Sequence, residues 1–183
     1  MRMRPEDIEM YPNFHKWLRD FCHSVRYKRP KVYAAYWRQV LDALNGNWSL
    51  DIDGLVWGSF PIIIPDKDLS ECTIEAIPTG NGLSVYKYVQ KWYGFTVPNR
   101  HSNKILVATD LAIMVGNPDV DLVLECTLLH ELIHWYRVKA GKTKEGAAEE
   151  VQSEAFEMEA YGKLIKRTWN GCHDDFDGNP KPR

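Results

Sequence analysis

His130-Glu131-Leu132-Ile133-His134-Trp135 decides how the rest of this chain is read. On a helix, residues four apart lie about 40° apart around the axis and share a face. Two imidazoles so placed can share one metal ion, and Glu131 beside the first can reach a water on that ion. The pattern is H-E-x-x-H, whose mechanics are zinc binding plus a general base. Around it the helix is apolar on every side, through Leu122, Val123, Leu124, Leu128, Leu129, Leu132, Ile133 and Trp135. Such a helix is usually buried, and buried polar groups need partners. A divalent ion with its water would partner His130, Glu131 and His134 at once.

The ends of this helix are also readable. Asn117-Pro118-Asp119 is a good start, with proline in the first turn, and Gly141 is a stop. The helix is expected from about Val120 to Lys139. A second is expected from about Ala147 to Lys166, stopping near Asn170-Gly171. The short turn from Gly141 to Gly146 would fold it back antiparallel on the first.

Catalytic zinc usually takes three protein ligands and leaves a position for water. A third histidine six residues after His134 is excluded, because that position is Ala140 and the glycine that would precede it is Arg137. The second helix offers carboxylates instead. Glu150, Glu154, Glu157 and Tyr161 fall on one face by their spacing. Several acids on one face repel unless a cation or hydrogen bonds compensate. Glu154, 20 residues after His134, is the first choice for third ligand. Glu150 and Glu157 are the alternatives, or else orient the histidines through their second ring nitrogens.

On Leu129 to Trp135 and Ser153-Glu154-Ala155, the sequence resembles the zincin metallopeptidases, in particular the gluzincins. In thermolysin-like members a Glu followed by Ala lies at the same interval after the second histidine. The resemblance implies His130, His134 and Glu154 as ligands of one Zn²⁺ ion and Glu131 as base. It departs four residues after Glu154, where many gluzincins have Asp and this chain has Met158. A looser resemblance, carried by Thr127 to Trp135 and Glu154 to Gly162, is to metallopeptidase toxin domains of bacterial polymorphic toxin and type VI secretion systems. It implies an antibacterial or anti-host effector with an immunity or inhibitor partner.

The expected chemistry is amide hydrolysis. Zinc acidifies its water, and Glu131 takes the proton and passes it to the leaving amine. Tyr136, Tyr161 and His173 are candidate donors to the oxyanion, Tyr161 foremost. The strand expected at Lys104 to Thr109 precedes the metal helix, as the substrate-binding edge strand does in zincins, and could take an extended protein or peptide substrate.

The remainder of the chain supports a small α+β domain. Phe14, Trp17, Leu18 and Phe21 are at helical spacing between Ile8 and Val25. Val32 to Leu44 repeats the pattern between Pro30 and Asn45-Gly46. Leu55 to Phe60, Ile62 to Ile64, Cys72 to Ile77 and Lys104 to Thr109 read as strands. Leu83 to Tyr93 fits strand or helix equally. The expected fold is zincin-like: a small mainly antiparallel or mixed sheet on the active-site helix, with N-terminal helices and a C-terminal glutamate-bearing helix. Residues 1–171 would form one domain and 172–183 a loose tail.

Composition excludes several classes. A net charge of -2 gives no basic excess for nucleic acid. No apolar run reaches the ~20 residues of a membrane span. The charged start lacks the apolar core of a signal peptide, so the cytoplasm is the default location, with signal-independent secretion as the alternative. The four cysteines form no C-x-x-C pair. Two other functions share these residues: a peptidoglycan amidase or endopeptidase on the same zinc, and a non-catalytic zinc-binding module.

Overall fold

A computed structural model of the chain describes residues 1–45, 54–70, 73–78, 84–89, 93–99, 101–142 and 147–165. The expected tail at 172–183, with His173, lies outside the described residues. So do Cys72 and Cys172, whereas Cys22 and Cys126 are buried. No helix among the described residues is long and apolar enough to cross a membrane.

Prolines set the N-terminal helices. Helices α1 (Pro5–Met10), α2 (Pro12–Lys28) and α3 (Pro30–Leu44) each begin with proline, whose fixed φ and missing N–H suit the first helical position. The residue before a proline is driven out of the helical region. Tyr11 (φ -128) and Arg29 (φ -130) accordingly separate the three. The single helix expected from Ile8 to Val25 is therefore two, broken at Tyr11. Helix α3 ends as expected, with Asn45 left-handed at φ 46.

The strands are β1 (Arg2–Met3), β2 (Ile62–Asp66), β3 (Thr73–Pro78), β4 (Ser84–Val89), β5 (Gly94–Thr96) and β6 (Lys104–Ala108). A mixed sheet runs in the order β1-β2-β6-β5. Its first three strands are parallel, and β5 is antiparallel to β6. The β3 and β4 strands form a separate antiparallel pair, so Ser84–Val89, within the ambiguous Leu83 to Tyr93 stretch, is strand.

Two strand expectations are corrected. Leu55 to Phe60 forms turns. Gly58 takes φ +89, which breaks an extended run, and its N–H donates to the Met1 carbonyl (2.9 Å). The β6 strand is no edge: it is paired on both sides, by β2 and by β5. Among the described residues the edge beside the helix of His130 and His134 is β5.

After β6 come α4 (Thr109–Ile113), α5 (Pro118–Lys139) and α6 (Ala147–Tyr161). The Asn117 side chain caps α5 by accepting from the Asp119 N–H (3.0 Å), satisfying one of the amides a helix start leaves open. Val120, Leu124, Leu128, Leu132 and Trp135 of α5 are all but fully buried. This helix is the centre of the core, packed by α3, α6, β5 and β6. Each such leucine contributes about 1.5–3 kcal/mol on burial. Helix α6 stops earlier than expected, at Gly162 rather than near Asn170. Gly162 takes φ +72, the left-handed turn that ends helices at little cost. The α+β architecture is as expected: a small sheet on the histidine-bearing helix, helices before it and a glutamate-bearing helix after it.

Candidate metal centre

Helix α6 packs on α5 and α3, and its Phe156 is fully buried and edge-on to the Tyr36 ring of α3. That anchor turns Glu150, Ser153 and Glu157 toward the histidines, three and four residues apart along one face. His130 Nε2 lies 3.1 Å from His134 Nε2 and 3.2 Å from Glu150 Oε2. His134 Nε2 lies 3.6 Å from the same carboxylate oxygen. His130, His134 and Glu150 are a group that could hold a metal ion.

The spacing fits an ion. Zinc bonds of 2.0–2.1 Å in a tetrahedron place neighbouring donors about 3.3–3.4 Å apart. The three observed separations, 3.1, 3.2 and 3.6 Å, bracket that value. Two imidazoles and one carboxylate are also a donor set seen at catalytic zinc.

Glu157 completes the arrangement from behind. Its Oε1 lies 2.8 Å from His130 Nδ1, and its Oε2 accepts the Ile165 N–H at 2.8 Å. With an Nδ1–H donating to Glu157, a neutral His130 would present its Nε2 lone pair toward Glu150 and His134. Burial opposes a charge on His130, but hydrogen bonds to Glu150 and Glu157 outweigh it and push its pKa up to about 10. Hydrogen bonds to His130 and His134 hold the Glu150 carboxyl well below the usual range.

Glu131 lies on the wall of a cleft of about 250 Å³ that His130, Glu150 and Glu154 also line. The β5 strand crosses closely over it. A Cβ on Gly94 would lie 2.6 Å from Thr127 Cγ2 and 2.8 Å from Glu131 Cγ, so only glycine fits unstrained. Two residues on, the Thr96 hydroxyl donates to the Glu131 carbonyl (2.8 Å) and ties strand to helix.

The remaining expected site residues are placed as follows. Glu154 lines the cleft but stands outside the group of ligand atoms. The Tyr161 hydroxyl donates to Glu125 Oε1 (3.0 Å) and lies outside the cleft lining. The Tyr136 hydroxyl accepts from the Gly54 N–H (2.7 Å) on the buried flank of α5. Cys126 also lines the cleft, its thiol pushed well up by burial and by Glu157; it is an inert group there. Sequence reasoning missed Ser153, whose Oγ lies 3.1 Å from His134 Nε2, and Gly94 and Thr96. Ser153 was readable in principle, since it shares a helix face with Glu150 and Glu157. Nothing in the sequence marked Gly94.

A larger cavity, about 540 Å³, lies between α2 and the start of α5. It holds mixed charges but, among the described residues, no group of ligand atoms such as His130, His134 and Glu150 present, so the chemistry favours the smaller cleft.

No curated protein and no solved structure matches this chain. A family model described as metallopeptidase toxin 3 matches residues 7–162, from α1 to the glycine that ends α6. With the whole histidine helix and the whole glutamate helix inside that match, the chain belongs to the metallopeptidase toxin 3 family.

Proposed function

We propose that this protein is a zinc-dependent peptidase in which Glu131 is the general base. His130, His134 and Glu150 would hold a single Zn²⁺ ion, with Glu154 as the competing third ligand. The observation that carries this reading is the approach of two imidazole Nε2 atoms and one carboxylate oxygen, 3.1 to 3.6 Å apart, beside Glu131 in an open cleft. The nitrogen-rich donor set favours zinc over calcium or magnesium, which take oxygen ligands.

When bound, the ion supplies Lewis acidity, acidifying a water and polarising a carbonyl. Glu131 takes the proton from the attacking water as its oxygen bonds to the carbonyl carbon. It then delivers that proton to the amine nitrogen as the C–N bond breaks. The outer edge of β5 can take an extended peptide by main-chain hydrogen bonds; among the described residues β5 pairs only with β6, and Gly94 lines the cleft. Glu157 fixes the ring of His130 throughout.

Membership of a toxin family supports a role as an antibacterial or anti-host effector. The substrate would be a protein of the invaded cell, and an immunity protein would protect the producer. Incubating the zinc-loaded protein and its Glu131→Ala variant with casein and with purified peptidoglycan tests the chemistry. Casein cleavage by the wild type alone is expected. Cleavage of peptidoglycan alone would make it a cell-wall amidase, and cleavage of neither would favour a non-catalytic module.

A further inference from the structure

On the Nε2 side of the histidines, helix α6 presents two polar side chains. Glu150 and Ser153 are three residues apart and share a face. Ser153 is fully buried, at 0% exposure, and its Oγ lies 3.1 Å from His134 Nε2. That Nε2 is the atom that approaches His130 Nε2 and Glu150 Oε2. A ring nitrogen that binds a cation has neither a lone pair nor a proton left for a hydrogen bond with a hydroxyl. Whichever of the two donates, an Nε2 that ligates an ion can no longer pair with the Ser153 hydroxyl, which is then left in a place closed to bulk water. A buried hydroxyl left without a partner is costly. The same 3.1 Å separation is close to the donor-to-donor edge of about 3.3–3.4 Å around a tetrahedral zinc.

We propose that Ser153 Oγ is a further donor to the metal ion, entering from the α6 side, with its proton passing to a hydrogen bond with Glu150. The ion would then be held by residues four apart on α5 and three apart on α6. A neutral hydroxyl is a weak ligand beside two imidazoles and a carboxylate, so it is the donor that water or a substrate carbonyl displaces most easily. The proposal rests on the reading of His130, His134 and Glu150 as a metal site.

Cobalt(II) substitution tests it by absorption spectroscopy. Loaded with Co²⁺, Ser153→Cys is expected to show a thiolate-to-cobalt charge-transfer band absent from the wild type, whose own Cys126 controls for a native thiol. Ser153→Ala is expected to keep one Co²⁺ per chain with altered d–d bands, and to bind zinc about tenfold more weakly by chelator competition, a change of about 1.4 kcal/mol. Bound cobalt without the new band in Ser153→Cys, and with unchanged d–d bands in Ser153→Ala, would overturn the proposal and leave Ser153 as a hydrogen-bond partner of His134. A wild-type protein that takes up no cobalt or zinc would overturn the metal site itself, and the proposal with it.

Discussion

Glu157 grips His130 from behind: Oε1 stands 2.8 Å from Nδ1, and Oε2 is pinned by the Ile165 N–H. This decides which ring nitrogen faces Glu150 and His134. Glu157→Ala should therefore weaken zinc binding by about 10–100-fold, the usual cost of losing a carboxylate behind a metal-binding histidine. Glu157→Gln, which keeps an oxygen acceptor, should lose less. Chelator competition measures both, and wild-type affinity in the alanine variant would refute the role.

The choice of third ligand separates cleanly by metal content. Glu150→Ala should lose zinc on dialysis, and Glu154→Ala should keep it. The reverse result would make Glu154 the ligand and Glu150 its neighbour. In the wild type, zinc at roughly 100 times its Kd should stabilise the fold by about 2.7 kcal/mol, read as a rise in Tm. Glu150→Ala should show little of that rise.

Glu131→Ala should keep its metal and lose peptidase activity by about 10²–10⁴-fold, the typical contribution of a general base. Expression of the wild type in a bacterium lacking an immunity protein should arrest growth, and this variant should not. Growth arrest by both would detach toxicity from the cleft.

Gly94→Val tests the contact between strand and helix. Its side chain would drive into Thr127 and Glu131. Overpacking of this kind costs about 1–3 kcal/mol, so thermal unfolding should come earlier. Activity should fall further than metal content, because the clash meets Glu131 and not the histidines. Wild-type activity and Tm together would show that β5 yields freely.

Much of the site was legible because it is local. His130 and His134 share a face of α5 whatever the rest of the chain does. Pro118, Gly141 and the apolar run between them marked that helix to within two residues, and Asn45 marked the end of α3. The edge strand was not legible. The apolar run in β6 reads equally well as an inner or an outer strand, and β5 is only three residues long and begins with glycine.

The acidic helix shows the division most sharply. By itself the sequence determined that α6 carries Glu150, Glu154 and Glu157 within reach of a fold-back on α5. Helical spacing does not determine how α6 is rotated about its own axis. Packing decided that: with Phe156 buried against Tyr36 and Ser153 sealed beneath His134, Glu150 and Glu157 turn inward. Glu154, about 100° further round from Ser153, stands at the rim. A helix buries its apolar anchor first, and the polar residues take the directions that burial leaves them.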